Sequence, residues 1–507
     1  MEFDYFSFLH YKVAVKGRCR MDCVKSGTQL QISCCFSEHI MILFVIAIGI
    51  FMSMAMTLHN VDALADRKPF QGPKRQWFDP ETCSAYRKVK DLQGRHAWRY
   101  TSSKKIKMPS EIRLQAEVDP DLVGLSKDEI SKKIQDMKEE QQNALCEKIG
   151  SGNNCIMNDM CLRRWEVVND EHNKIAKNKE NISTRQFTLV QFNTLAEGLS
   201  SGPDAEMKFS LESRRWESAI SNPNTYGGFD KVQHPEICLD FNLRKWRLLD
   251  VILGSSVNEK IEGDNSFSNP DIIALEEVDN YHSFFQPALH KLGYDSIFIP
   301  KRFSPCVKFG YFSDGCALFW SRQKFKLLEE ERRQFEKRGQ VYIIATLKSN
   351  GSDRLLTVGV THLKAKRGRV NEQDRTSQIN ELVKEIGAHR NRVKEKFDLE
   401  EIPIIIAGDF NADVTSEDST CIQTAIHNEF KSAYPLQNVT ETFSTYKFRG
   451  ESYSKRTIDY IFYKATNLVC THTLNMFEEV DIQEPWGLPG FQYPSDHIMI
   501  GSRFKFL

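Results

Sequence analysis

From Arg185 to the C-terminus the chain is a succession of short β-branched and aromatic runs, each closed by polar residues. Phe187–Phe192, Asp271–Leu275, Cys316–Trp320, Val341–Leu347, Leu355–Val360, Ile402–Ala407, Ile458–Tyr463 and Ile498–Phe506 are predicted strands. Between them Leu243, Trp246, Leu249 and Leu253 recur on one helical stripe, and Ile379, Leu382, Val383 and Ile386 on another. Many strands and few helices predict an α/β domain of two packed sheets flanked by helices over residues 185–506. Residues 200–240, rich in Ser, Asn, Pro and Gly, read as an insertion between the first strand and the first helix, covering the site or decorating the surface. His234, Cys238 and Trp246 are assigned to packing.

The first 180 residues have another texture. Ile40–Leu58 runs 19 residues without a charge, enough for a helix to cross a bilayer core of about 30 Å. The flank 1–39 holds Lys12, Lys16, Arg18, Arg20 and Lys25, a mild positive excess that favours a cytoplasmic N-terminus. Residues 40–58 are expected to be a retained anchor or the apolar part of a cleaved signal, with Ala63-Leu64-Ala65 as the small-x-small site and Met41 as an alternative start. The location expected is a membrane surface or a secretory or organellar lumen; it is cytoplasmic or mitochondrial if the segment is not used in that way. Asn181-Ile-Ser183, Asn350-Gly-Ser352 and Asn438-Val-Thr440 permit a lumenal location and no more.

Residues 66–180 are dominated by Lys, Arg, Glu and Gln and are expected to form a helical extension, a linker or regulatory segment. Its clearest element starts at the capping box Ser126/Glu129, carries Ile130, Ile134, Met137, Leu145 and Ile149 at helical spacing, and stops at Gly150. Cys83, Cys146, Cys155 and Cys161 allow two disulfides in a lumenal setting; no His has the spacing for zinc.

Composition narrows the class. In 507 residues, 40% hydrophobic and 27% charged, 68 Lys+Arg balance 68 Asp+Glu. That excludes a disordered polymer, a collagen-like fibre, a small disulfide knot and a polytopic membrane protein. Zero net charge provides no global field, and no Arg/aromatic tract for tracking a long RNA is visible along the chain.

The candidate chemistry lies where strands end. Phe187–Phe192 runs into Asn193, Asp271–Leu275 into Glu276 and Glu277, Leu355–Val360 into His362, and Ile402–Ala407 into Asp409 and Asn411. Asp459 opens one late strand, and Asp496-His497 precedes the last. Any one of these reads as a turn residue. Together they predict convergence at one sheet edge. Carboxylate and amide oxygens suit Mg²⁺ or Mn²⁺, and an imidazole backed by a carboxylate suits a phosphoester under attack.

Gln191-Phe-Asn193-Thr-Leu195, Leu275-Glu-Glu277-Val278, Asp314-Gly-Cys-Ala-Leu318, Thr361-His-Leu363, Gly408-Asp-Phe-Asn411, Ile458-Asp-Tyr460 and Pro494-Ser-Asp-His497 occur in this order. This resembles the endonuclease/exonuclease/phosphatase superfamily over residues 185–506. Phe298-Ile-Pro-Lys301, Ser304-Pro-Cys306, His362-Leu-Lys364-Ala365, Arg449 and Pro489-Gly-Phe-Gln-Tyr-Pro494 narrow it to the nocturnin group, beside the carbon-catabolite-repressor type deadenylases.

The resemblance implies a four-layer α/β/β/α sandwich with its site at one edge. It implies Glu277 as principal metal ligand, with Asn193 and Asp496 near the metal. Asp409 would activate water, Asn411 would fix its position, and His497, held by Asp459, would stabilise phosphoryl charge together with His362. Lys301, Lys364, Lys366 and Arg449 would grip substrate phosphates. Two departures stand out: Glu276 occupies a position where the family usually has Gln, and strand alternation predicts that it points away; Lys366 replaces Arg, which loses bidentate geometry.

The implied function is Mg²⁺-dependent hydrolysis (Mn²⁺ as substitute) of an adenylate-containing phosphoester. The 2′-phosphate of NADP(H) is preferred over the 3′ end of poly(A) RNA. A lipid or inositol-phosphate phosphodiesterase and a membrane-tethered dead binding module are the alternatives.

Overall fold

Strand alternation decides which side chains of this protein face each other, so the register comes first. The computed structural model describes residues 118–149, 163–168, 185–201, 225–254 and 269–507, except 310, 338, 416–418, 437–441, 465–466 and 483–484, with isolated short strands at 25–30, 86–100 and 207–218. The uncharged segment 40–58, Ala63-Leu64-Ala65 and the side chains of Cys83, Cys146, Cys155 and Cys161 lie outside the described residues. Among the described residues no helix is long and apolar enough to cross a membrane.

The elements that build the site are, in chain order, α1 (Lys127–Ile149), β1 (Trp165–Val167), β2 (Gln186–Asn193), α2 (Phe241–Leu253), β3 (Ile272–Glu276), β4 (Tyr294–Pro300) and β5 (Gly315–Ser321). There follow β6 (Phe325–Gln334), β7 (Val341–Ser349), β8 (Leu355–His362), α3 (Arg369–Phe397), β9 (Ile404–Asp409), α4 (Thr420–His427) and β10 (Lys431–Ser432). The chain ends with β11 (Thr445–Arg449), β12 (Ser452–Arg456), β13 (Asp459–Lys464), β14 (Leu468–Leu474) and β15 (Ile500–Phe506). One mixed sheet has the order β4-β5-β3-β2-β15-β14-β1, the other β6-β7-β8-β9-β13-β10, and β11 pairs with β12 in a separate hairpin. Only β2/β3 and β8/β9 are parallel within these sheets.

Three apolar layers hold the sheets. Leu189, Ile272, Leu318, Val358, Ile405, Ile461 and Ile500 meet between them. Phe192, Ile273 and Leu275 turn outward against Trp246, Leu249 and Phe284. Ile344, Ile404 and Ile406 turn outward against Ile379, Leu382, Ile386 and Ile422. This is the α/β/β/α sandwich. Each fully buried aliphatic chain contributes about 1.5–3 kcal/mol, so the layered pattern leaves little freedom of register.

Two described parts of the extension before residue 185 pack on the sandwich. Ile130, Ile134 and Met137 of α1 enter the same core as Trp246, and Lys138 pairs with Asp250 at 3.0 Å. Lys245 reaches Asp119 at 2.6 Å and Asp121 at 2.9 Å. β1 pairs with β14 as an edge strand, and Arg163 donates to the Met499 and Asn475 carbonyls. These parts of the extension are integral to the sandwich, because α2 would otherwise expose a second apolar face. Residues 225–240 are likewise no mere decoration: Phe229, Val232, Ile237 and Leu239 pack with Leu195 and Phe491.

Candidate active site

The inter-sheet face supplies the site by simple continuation of its period. On β2 the core positions Phe187 and Leu189 are followed by Gln191 and Asn193; on β3, Ile272 and Ala274 by Glu276. On β8, Val358 and Val360 lead to His362; on β9, Ile405 and Ala407 lead to Asp409; on β13, Asp459 precedes Ile461 and Tyr463. Pairing then sets His362 beside Asp409, Asp409 beside Asp459, and Asn193 beside Glu276. Gly408 is required there: a Cβ would lie 2.0 Å from the Thr361 carbonyl oxygen. Glu277 and Asn411, just past their strands, have φ of 55° and 52°, which turns both out of the pleat.

The contacts are short and directional. His497 Nδ1 donates to Asp459 Oδ2 at 2.8 Å, and the same oxygen accepts Ser444 Oγ at 2.7 Å. Asn193 Nδ2 donates to Asp409 Oδ2 at 3.1 Å, and the Asn411 amide donates to Asp409 Oδ1 at 2.8 Å. His497 Nε2 lies 3.8 Å and His362 Nε2 3.5 Å from Asp409 Oδ2; His362 Nε2 is also 3.9 Å from Glu277 Oε1. Lys301 Nζ meets His362 Nδ1 at 3.2 Å. An ammonium only donates, so this Nδ1 accepts and Nε2 carries the proton toward the two carboxylates.

Burial, the Asp459 charge and the Glu277 charge lift Asp409 to about 6 against the pull of His497. Burial lowers His497, but Asp459, Asp409 and Asp496 outweigh it and the Lys447 repulsion, raising it to about 9. Burial and then Lys301 push His362 well below its usual value, leaving it neutral. Burial opposes ionisation of Asp496, yet Lys447 and His497 bring it down to about 2.

Residues 224–497 match the model of the Endonuclease/Exonuclease/phosphatase family. The chain belongs to that family. Among curated relatives it is 31% identical to Nocturnin of Rattus norvegicus over 327 residues, 63% of this chain and 65% of that protein. It is 32% identical to Nocturnin of Homo sapiens over 328 residues, with the same coverage. With the CCR4-Not complex 3'-5'-exoribonuclease subunit Ccr4 of Candida glabrata it shares 25% over 290 residues, 49% of this chain and 33% of that one. The match thus spans a little under two thirds of the nocturnins' length. The solved human Nocturnin catalytic domain with bound sulfate anion aligns with a TM-score of 0.44 and 27% identity, covering 68% of this chain and 97% of that one.

In this Endonuclease/Exonuclease/phosphatase family chain the proposed phosphate-gripping cations divide. Lys301 is buried and paired with Asp314 at 2.5 Å, so it orients His362 and carries no spare charge outward. Arg449 donates to the Gly227 carbonyl at 2.7 Å and the Leu199 carbonyl at 3.0 Å, with its guanidinium over Phe229. It clamps the insertion to β11. Gly227, at φ 63°, makes this possible, since a Cβ would lie 1.8 Å from the Leu199 oxygen. Lys364 is half-buried and Lys366 exposed, on the turn after His362, with both carbonyls held by Arg375.

Three residues escaped the sequence reading. Lys447 bonds Asp496 and lies 3.4 Å from His497 Nε2; it shares the alternate face of β11 with Arg449, the one signal that pointed to it. Gln191 was quoted only as part of a motif. Glu276 points into the site's foundation and not away: it is fully buried between the sheets and accepts Gln191 Nε2 at 2.7 Å. The alternation argument failed because β3 ends at Glu276 and Glu277 leaves the pleat.

The turns after β4, between β6 and β7, and after β8 all leave the sheets at this same end. The Phe303 ring sits against Gly339, and Gln378 ties the Lys364 amide to the Lys337 carbonyl. Exposed Arg302 and Lys337 therefore join the basic run Lys364-Ala-Lys366-Arg367-Gly-Arg369 on one rim with Phe303.

The residues fit a divalent cation. Among the described residues Lys447 pairs with Asp496 and His497 with Asp459, which leaves Glu277 and Asp409 in excess of positive charge, and Asp496 Oδ1 is buried with no hydrogen-bond partner. Asp409, Asp459 and His497 offer donor atoms within 4.8 Å of one another, but Asp459 is saturated by Gln191, Ser444 and His497. That trio is a hydrogen-bonded and charge-coupled acid–imidazole chain. Asn193 spends its amide on Asp409 and the Leu195 amide, so it braces Asp409.

A pH dependence follows. A base at Asp409 would work only when ionised, so kcat/KM for a phosphoester should fall as pH drops through about 6. His497 supports phosphoryl charge only as a cation, so activity should fall as pH rises through about 9. The acid limb should move down as Mg²⁺ is raised, since added positive charge favours the carboxylate. A flat profile from pH 5 to 10 would remove both assignments.

Proposed function

We propose that this protein is a divalent-metal-dependent phosphoester hydrolase acting on an adenylate-containing substrate, the 2′-phosphate of NADP(H) first. One observation carries the reading: Glu277, Asp409, His362, Asp459 and His497, from five separate chain segments, meet at one end of the inter-sheet face. A dead binding module would have no need of an ionisable base, a cationic imidazole and a neutral imidazole side by side.

Glu277 and Asp496 would hold the metal, Mg²⁺ or Mn²⁺, which when bound neutralises phosphoryl oxygens and the leaving group. Asp409, braced by Asn193 and the Asn411 amide, takes the proton of the attacking water. His497, held through Nδ1 by Asp459, directs Nε2 at the phosphoryl oxygens, and His362 directs its Nε2–H at the same space. Lys366, exposed on the turn after His362, is placed to meet a substrate phosphate, with Lys364 on the same turn. Such positioning and charge neutralisation is most of what phosphoryl transfer needs.

The cationic rim favours a second reading, the 3′ end of an RNA, whose backbone would run over Arg302, Lys337 and Arg367 with a base against Phe303. Phe303, 71% exposed, and Val370, 62% exposed, are also the features a lipid headgroup substrate would use. The test is a side-by-side assay of the purified protein with Mg²⁺ on NADPH, oligo(A) and a phosphoinositide in vesicles. Faster phosphate release from NADPH is expected. Faster shortening of oligo(A) would move the protein to the ribonucleases, and turnover of the lipid alone would move it to the third class.

A further inference from the structure

The site rests on a buried polar pair that neither the motifs nor the proposed chemistry uses. Gln191 Nε2 donates to Asp459 Oδ1 at 2.9 Å and to Glu276 Oε2 at 2.7 Å. Both side chains are fully buried between the sheets, at adjacent strand ends: β2 carries Gln191 and β3 carries Glu276. Asp459 belongs to the opposite sheet, so this single amide nitrogen crosses the gap. Beyond it, Asp459 Oδ2 holds His497 Nδ1. Burying a second acid beside Asp459 on one amide is expensive, since burial and then the Asp459 charge push the Glu276 carboxyl well above its usual value, and a fold under no other demand would fill that layer with aliphatic side chains as it does two residues earlier, at Leu189 and Ala274.

We propose that Gln191 and Glu276 form an inter-sheet strut that positions Asp459, and through it His497, for the hydrolytic reaction. The two are positioning residues, since neither reaches the substrate space. The physical basis is rotational. Asp459 Oδ2 serves Ser444 and His497, and a third donor, on Oδ1, adds to the restraint on rotation of the carboxylate about χ2. Gln191 is that donor, and a flip of its amide would set the oxygen against the Asp459 carboxylate and lose the Nε2 bond to Glu276. Donor arithmetic adds a corollary. Gln191 Oε1 and Glu276 Oε1 are buried with no partner among the described residues, so a carboxamide at 276 would bring a missing donor and should be tolerated.

The idea rests on the hydrolase reading for its kinetic arm and on geometry alone for its spectroscopic arm. Full-length wild type, Gln191→Met, Glu276→Leu and Glu276→Gln are compared by kcat and KM on the best substrate with Mg²⁺. The ¹⁵N/¹H imidazole signals of His497 are recorded in metal-free protein, with His497→Gln for assignment, and urea unfolding serves as the folding control.

Gln191→Met and Glu276→Leu should lower kcat about tenfold or more with KM within twofold, and should broaden or shift the Nδ1–H signal. Glu276→Gln should keep wild-type kcat and signal. Folded Gln191→Met and Glu276→Leu proteins with unchanged kcat and unchanged imidazole signals would overturn the strut. If Gln191→Met does not fold, Glu276→Leu against Glu276→Gln decides by the same two readouts. If wild type hydrolyses none of the substrates, the functional reading fails, and the imidazole signals still judge the strut.

Discussion

Replacing His497 by alanine should cut kcat on a phosphoester at least about 10²-fold, near 2.7 kcal/mol of transition-state stabilisation, and leave KM nearly unchanged. The loss falls on kcat because the imidazolium answers charge that grows only as the P–O bond breaks. Its cationic state is built in: Asp459 at 2.8 Å and the Asp409 carboxylate at 3.8 Å sustain it in a buried setting. Glu277→Ala should lose as much activity, and should also abolish any metal-dependent change in the protein's spectrum. A His497→Ala enzyme with activity within a few fold of wild type would mean that the Asp459–His497 pair is structural. A Glu277→Ala protein that still titrates with Mg²⁺ would place the cation elsewhere.

The largest expected effect on stability is at Arg244, which lies fully buried in α2. Its guanidinium donates to the carbonyls of Thr194 at 2.9 Å, Pro494 at 3.2 Å and Leu195 at 2.7 Å, and to Ser200 Oγ at 3.1 Å. Burial lowers it to about 10, supported by the charges of Asp279 and Glu197, so it remains a cation at neutral pH. Arg244→Met would strand those carbonyls and leave buried Asp279 and half-buried Glu197 without that positive charge. Such losses cost about 3–5 kcal/mol. Urea unfolding should show the drop, and Arg244→Lys should rescue only part of it, because one ammonium cannot span the loop after β2 and the segment before Asp496. Activity should fall as well, since the Pro494 carbonyl anchors the Ser495-Asp496-His497 segment. A midpoint within about 1 kcal/mol of wild type would show that the loop is held by its apolar contacts alone.

Much of this could be read from the chain because its signals are local. Eight apolar runs became eight strands, shifted by no more than a residue or two at most ends, since a run buried on both faces tolerates little else. The polar residue closing each run was visible too, and pairing register brought His362, Asp409 and Asp459 side by side. Where the reading went astray, the cause was long-range. The extension before 185 looked separate because an amphipathic helix does not reveal which face covers it; α2 supplies that surface. Arg449 and Lys301 looked available to phosphate, because nothing near them in sequence shows Gly227, Leu199 or Asp314 waiting as partners.

By itself the amino-acid order determined the layered α/β class, the strand ends that carry the chemistry, and the membership of those residues in one family pattern. Only the tertiary structure decided which cations protein partners hold, that Glu276 and Gln191 lie beneath the Asp459–His497 pair, and that Arg302 and Lys337 join the basic run 364–369 beside Phe303. The reason is physical: hydrophobic period is written residue by residue, whereas the partner of a buried charge is chosen by whichever distant segment the packed sheets bring within hydrogen-bonding distance.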